Sequence, residues 1–247
     1  MGHEYRDEDE VVVDASPDEV WEAIATGPGM DAWFMGHTTV TGGEGGGIHV
    51  DMGGFSQDFT ITDWRPGKRL AYTADPRPDG SFLALEWLIE GRSGTTVLRS
   101  VGSGFIGSND WQDEYDSLRQ GGRRYLHNVG QYLRFFRGRR ATPVNAGRPQ
   151  AGSREEVMRA LTHGLGLTGL PAVGDTVRLA PWGLPDISGV VDYSQPHALG
   201  IRSDDALYRL FHGMGDSAIA EHHVFVPGSH RETLRLRWQN WLAEQFR

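Results

Sequence analysis

The feature that most limits the fold is one long amphipathic helix near the middle of the chain. It begins at Trp111 and reads WQDEYDSLRQGGRRYLHNVGQYLRFF. Its apolar and small residues recur at steps of three and four, so they share one face of a helix with a 3.6-residue period. This face comprises Trp111, Tyr115, Leu118, Gly122, Tyr125, Val129, Leu133 and Phe136. Charged residues occupy the opposite face, and the pattern predicts a continuous helix.

Two adjacent glycines, Gly121 and Gly122, interrupt this otherwise favourable helix sequence. Each glycine in a helix interior costs about 1 kcal/mol relative to alanine. Three explanations are open: a kink, close packing against a neighbouring element, or space left for a ligand.

The residues before this helix predict a strand, a short helix and a series of antiparallel strands. Ser16, Pro17 and Glu19 form a helix-start pattern, with an N-cap, a proline in the first turn and a capping box. The strands are expected near residues 38–41, 47–52, 57–64, 69–73, 82–90 and 95–102, separated by glycine-rich turns. This order predicts an α+β fold in which a sheet grips the long helix.

The second half repeats this layout in a shorter form. The segment RGRRATPVNAGRPQAGS reads as a linker. A helix is expected to start at Ser153, followed by strands near 176–180, 187–193, 198–202, 206–212 and 218–226. A last helix is expected to be capped by Ser229. The predicted organisation is therefore a domain at 1–138, a linker at 139–152, and a truncated domain at 153–247 without an opening strand.

Composition excludes several classes of function. The chain has 247 residues, 38% of them hydrophobic, and a formal net charge of −9. That charge disfavours nucleic acid as a partner. There is no cysteine, which excludes disulfides, thiolate catalysis and cysteine zinc sites and suits a cytoplasmic protein. Because no apolar run approaches membrane-spanning length, no membrane insertion is expected.

Two segments resemble a known superfamily. VVVDASPDEVWEAIATGPGMDAWF and LRQGGRRYLHNVGQYLRFF are similar to the opening and closing elements of the START-like helix-grip superfamily (SRPBCC). Within it, they resemble the Hsp90-activator-homology branch, which includes calicheamicin self-resistance type proteins. The resemblance covers about residues 8–136 and implies a curved antiparallel sheet around a long C-terminal helix, commonly with a ligand cavity between them. The repeated layout of the second half predicts two tandem units of this fold, the second shortened, which departs from the usual single-domain member.

The resemblance also implies a set of ligand-binding residues. From the sheet side these are Trp33, Phe34, Phe59, Tyr72, Glu86 and Trp87, and from the helix Tyr115, Leu118, Gly122 and Tyr125. Aromatic residues at such spacings are also typical of an ordinary core. Glu86 interrupts the apolar run LALEWLIEG and is a candidate buried acid if it faces the cavity beside Tyr72 or Tyr115.

Evidence for catalysis is weak. His49 and Asp51 share one strand face and could act as a base with its orienting carboxylate, but an exposed polar strand face is the favoured explanation. The chain contains no HExxH, phosphate loop or GxSxG motif. No catalytic residue, metal site or cofactor is predicted.

The sequence therefore favours the binding or sequestration of a hydrophobic small molecule, of aromatic or polyketide-like type, in biosynthesis, transport or self-resistance. Apolar burial would supply the affinity. A cyclase or hydrolase acting on such a metabolite is the first alternative. The second is an Hsp90-activator-like module with a protein partner, which predicts an exposed patch and a cavity filled by side chains.

Overall fold

The computed structural model describes residues 3–107 and 111–247. The chain divides into two compact units, Met1–Arg140 and Ala141–Arg247. Each unit contains its own antiparallel sheet and a long C-terminal helix. The predicted α+β class is confirmed.

The first unit follows the predicted order of elements. Its helices and strands are β1 His3–Val13, α1 Pro17–Ala25, α2 Gly27–Met30, β2 His37–Thr41, β3 Gly47–Asp51, β4 Ser56–Arg65, β5 Arg69–Ala74, β6 Phe82–Arg92, β7 Thr95–Ile106 and α3 Trp111–Phe135. The sheet order is β1-β7-β6-β5-β4-β3-β2. Strands β2 to β7 thus form a meander, and β1 pairs with the last of them.

The predicted start of α1 is confirmed. The Ser16 hydroxyl accepts a hydrogen bond from the Glu19 backbone N–H at 3.3 Å, and the Glu19 carboxylate accepts one from the Ser16 backbone N–H at 2.8 Å. Pro17 occupies the first turn. These bonds satisfy donors that a helix start leaves unpaired.

Helix α3 runs along β1 in a matched register. Four side chains from alternate positions of the strand contact four from every fourth position of the helix, and the pairs are His3 with Trp111, Tyr5 with Tyr115, Asp7 with Arg119, and Asp9 with Arg123. Two residues of strand and four of helix each advance the chain by roughly 6 Å. The contacts between β1 and α3 therefore repeat in register over this length.

The second unit has the same topology with one strand fewer. Its elements are β8 Thr142–Arg148, α4 Arg154–Gly164, β9 Thr176–Leu179, β10 Ile187–Gln195, β11 Ala198–Arg202, β12 Ala206–Gly213, β13 Ser217–Val224 and α5 Arg231–Gln245. The sheet order is β8-β13-β12-β11-β10-β9. The opening strand again pairs with the last strand of a meander.

Two details of the second unit differ from the sequence-based expectation. The segment interpreted as a linker contains β8, so the prediction that this unit lacks an opening strand is wrong. Pro143 is tolerated because β8 lies at the sheet edge and has one neighbour, β13. Ser229 does not cap α5; the residue before its first turn is His230, which makes no side-chain cap bond.

The interior of the second unit is closely packed. Trp238 and Trp241 of α5 contact each other with ring centroids 5.4 Å apart, and Trp238 lies 4.0 Å from the His222 ring. The opposite face of the sheet carries an ion pair, Arg209 with Asp192 at 2.7 Å, in which both side chains are buried. Side chains therefore fill the described space beneath α5.

Candidate functional site

The candidate site is the space between α3 and the sheet of the first unit. Because strand side chains alternate between faces, the register identifies those that point toward the helix. Tyr5 shares its face with Gly104 and Leu83, and Tyr72 shares it with Leu85 and Gly102. This face and α3 enclose two regions that differ in packing.

The first region is an aromatic core next to α1 and α2. Ring centroids lie 5.1–5.3 Å apart in each contact of the series Phe59–Tyr72, Trp87–Trp33, Trp33–Phe34 and Phe34–Tyr125. Except for half-buried Tyr125, these side chains are at most 5% exposed. The predicted lining residues Trp33, Phe34, Phe59, Tyr72 and Trp87 thus pack against each other.

A hydrogen bond joins two parts of this core. The Trp87 indole N–H donates to the Tyr72 hydroxyl oxygen at 3.1 Å. Burial raises the pKa of Tyr72 above its ordinary value, so the phenol remains neutral. The bond satisfies an indole N–H that would otherwise be buried without an acceptor.

The second region lies beneath the first half of α3 and is open. Gly122 lies at the centre of the sheet-facing stripe, seven residues before Val129, which is 0% exposed. A Cβ atom built at Gly122 meets no heavy atom within 4 Å. Its neighbours on this stripe, Leu118 and Tyr125, are half-buried. A side chain is therefore missing where the described structure has space for one.

Close packing by glycine occurs elsewhere on the same helix. A Cβ at Gly130 would lie 3.3 Å from a methyl carbon of Val11, so Gly130 allows α3 to approach β1. At Gly121 the nearest atom is a Tyr125 ring carbon at 3.9 Å, an ordinary contact. The glycine pair is thus not explained by close packing, and α3 continues through it.

Tyr5 is a site residue that the sequence patterns do not indicate. Its ring contacts Tyr115 edge-on, with centroids 5.2 Å apart. The ring also crosses Gly102, where a Cβ would lie 3.0 Å from a Tyr5 ring carbon and 3.2 Å from its hydroxyl oxygen. Tyr5 lies in the acidic segment HEYRDEDE, in which alternate side chains from His3 onward face the helix.

Glu86 is not in this space, contrary to the expectation. It pairs across the sheet with Ala71, whereas Tyr72 pairs with Leu85. Glu86 therefore points to the opposite face, where its carboxylate lies 2.7 Å from Arg69 Nε. Glu86 is therefore not the expected acid beside Tyr72 or Tyr115, because adjacent strand residues point to opposite faces.

The other acid–base candidates also lie outside the interior. His49 is bonded through Nδ1 to Asp58 at 2.7 Å, and both side chains are exposed. Its partner is a cross-strand carboxylate rather than Asp51. Among residues 3–107 and 111–247, no group of three histidine, aspartate or glutamate side chains could hold a metal ion.

A separate groove of about 400 Å³ lies at the start of α1. Its lining includes Ser16, Glu19, Arg92 and Arg137. Arg137 is already engaged by the Asp14 carbonyl at 2.6 Å and by Glu19 at 3.3 Å. None of its lining residues belongs to the space beneath Gly122.

Comparison with protein families finds one similarity, which lies in the first unit. Residues 7–121 match the family described as polyketide cyclase / dehydrase and lipid transport. The sequence of the first unit is therefore similar to this family over most of its length. The match runs from β1 to Gly121, the first of the two glycines, and confirms the START-like resemblance for these residues. The family description joins catalysis on polyketides with lipid transport, in agreement with the predicted class of metabolite.

Solved structures with a similar chain arrangement include two that extend over both units. DynU16, from the dynemicin biosynthetic locus, is 18% identical with a TM-score of 0.46, covering 98% of this chain and 95% of that chain. BexL, a di-domain ARO/CYC from the BE-7585A biosynthetic pathway, is 14% identical with a TM-score of 0.46, covering 97% and 94%. The Aha1 dimer from Colwellia psychrerythraea is 20% identical with a TM-score of 0.46, covering 54% of this chain and 98% of that one.

No functional assignment rests on these three similarities. No curated protein matches the sequence. Within the described part of the chain, no helix is long and apolar enough to cross a membrane.

Proposed function

We propose that the first unit binds a hydrophobic, polyketide-like small molecule between α3 and the sheet. The observation that carries this proposal is the open position at Gly122, at the centre of the sheet-facing stripe of α3, between half-buried Leu118 and Tyr125. Two glycines within a helix lower the stability of the folded protein. The need to leave space for a ligand explains why they are present. The family description supports the class of ligand.

The proposed binding region is smaller than the set of residues expected from the sequence. Tyr115, Leu118, Gly122 and Tyr125 remain as lining residues because they are half-buried. The aromatic core provides a rigid wall at one end through Phe34, which contacts Tyr125. Affinity comes from apolar burial, about 25 cal/mol per Å² of apolar surface removed from water.

Binding is favoured over catalysis by the placement of the acid–base candidates. Glu86 and His49 both lie away from the space beneath α3. Binding is also favoured over a protein-interaction module. Such a module would have an interior filled by side chains, whereas a Cβ at Gly122 meets no heavy atom within 4 Å. The chain has no cysteine, which suits the reducing cytoplasm, where we propose that the protein acts.

The test is an equilibrium titration of the intact chain with 9-fluorenone, a rigid three-ring ketone, followed by tryptophan fluorescence. We expect saturable binding at one site and its loss in Gly122→Leu. Native mass spectrometry measures the stoichiometry independently. Absence of saturable binding to the wild-type protein, or equal binding by both proteins, would overturn the proposal.

A further inference from the structure

Tyr5 reaches from the edge strand into the middle of the proposed site. Its cross-strand partner on β7 is Gly104, but its ring leans along β7 as far as Gly102. Gly102 in turn pairs with Asp7, whose carboxylate lies 3.3 Å from Arg119 of α3. The Tyr5 hydroxyl is therefore level with Arg119, within about one helical turn of Gly122.

The sequence of β7 makes room for this ring. A glycine inside a strand weakens it and often marks a close approach of another group. At Gly102 the group is Tyr5, because a Cβ would stand 3.0 Å from its ring. An alanine at this position would displace the ring. Gly102 therefore allows the Tyr5 ring and its hydroxyl to lie close to the sheet.

The hydroxyl is available to a ligand. It has no hydrogen-bond partner among the described residues, and its oxygen is not fully enclosed although the residue as a whole is only 4% exposed. Burial, and then the negative charge of Asp7, raises the pKa of Tyr5 above its ordinary value. The group is thus a neutral phenol with a proton to donate.

We infer that Tyr5 is a specificity-determining residue, whose hydroxyl donates a hydrogen bond to an oxygen of the ligand bound beneath Gly122. The expected ligand is a planar hydrophobic compound that carries an acceptor oxygen, such as an aryl ketone. This oxygen lies on the side of the ligand that faces β1 and β7. This inference rests on the proposed function, and it adds a polar selection that apolar burial does not supply.

The experiment compares 9-fluorenone with fluorene, which has the same ring skeleton without the oxygen. Dissociation constants of both probes are measured for the intact wild-type chain and for Tyr5→Phe. We expect the substitution to weaken fluorenone binding by roughly two- to tenfold, the range of one neutral hydrogen bond. Fluorene binding should change by less than about twofold, since its complex contains no such bond.

Two further variants complete the design. Gly102→Ala keeps the hydroxyl but shifts the ring, so it should also reduce the preference for fluorenone over fluorene. Tyr208→Phe removes a hydroxyl from the second unit and should change neither constant. Thermal melting of each variant establishes that it is folded.

The outcomes separate the two proposals. If the wild-type protein binds both probes and Tyr5→Phe lowers both affinities equally or neither, the role of Tyr5 is refuted and the proposed binding function stands. If the wild-type protein binds neither probe, the proposed function fails, and the inference about Tyr5 fails with it.

Discussion

Replacing Gly122 by leucine should stabilise the protein while abolishing ligand binding. The substitution adds a side chain at the centre of the sheet-facing stripe of α3, where a Cβ contacts nothing within 4 Å. A helix-favouring residue replaces an unfavourable one, and the new side chain occupies the proposed ligand space. The two effects have the same structural origin.

The magnitude follows from two contributions. Helix propensity favours leucine over glycine by about 0.8 kcal/mol. Burial of a whole leucine side chain adds up to about 1.5–3 kcal/mol, and the partial exposure of Leu118 and Tyr125 indicates that only part of this is realised. The expected gain is therefore about 1–2 kcal/mol, which corresponds to a Tm increase of roughly 2–8 °C for a chain of this size.

The assay is thermal and denaturant unfolding of wild-type and variant proteins, together with a fluorenone titration. Gly130→Leu is the matched control on the same helix, because a Cβ there would lie 3.3 Å from Val11. Such overpacking should cost about 1–3 kcal/mol. Destabilisation of Gly122→Leu by a similar amount would refute the existence of ligand space at this position.

Three other substitutions test separate parts of the structure. Tyr72→Phe should lower the free energy of unfolding by about 1–3 kcal/mol, because it leaves the buried Trp87 N–H without its acceptor. Asp192→Asn should cost about 3–5 kcal/mol, since the buried Arg209 loses its carboxylate partner. Burial lowers the pKa of His222 well below 6.5, so the unfolded chain binds more protons and stability should fall as pH decreases below 6.5. His222→Gln should reduce this slope, which is at most about 1.4 kcal/mol per pH unit.

Each of these is checked by denaturant unfolding against a control. If Tyr72→Phe lowers the free energy of unfolding by less than about 0.5 kcal/mol, the Trp87 indole N–H has another acceptor in the variant. Glu232→Gln, which breaks an exposed pair with Arg235, should lower the free energy of unfolding much less than Asp192→Asn, because solvent screens the exposed pair. Equal losses in the two variants would contradict the importance of burial. For the pH series, an unchanged slope in His222→Gln would assign the acid sensitivity to other groups.

Local sequence signals predicted the elements well where they were strong. The capping box at Ser16 and Glu19 fixed the start of α1, and the strands of the first meander lie within a few residues of their expected bounds, apart from β7, which extends to Ile106. Strand β8 was missed because Thr142–Arg148 contains proline, glycine and arginine. Such residues indicate a loop by composition, and only pairing with β13 makes them a strand.

The site was harder to predict because its shape depends on register. The sequence identified aromatic residues, but it could not separate those that fill the core, such as Tyr72, from those beside open space, such as Leu118. Glu86 was misplaced because the alternation of β6 was not fixed until its pairing with β5 was known. Tyr5 was missed because the acidic residues around it conceal a strand face that contacts α3.

The most direct test of the account is a crystal structure of the intact chain with bound 9-fluorenone. We expect ligand density between Gly122 and the sheet, with the ketone oxygen within hydrogen-bond distance of the Tyr5 hydroxyl. This expectation would be contradicted by a ligand bound outside this space, or by Leu118 and Tyr125 closing over Gly122 so that no space for a ligand remains.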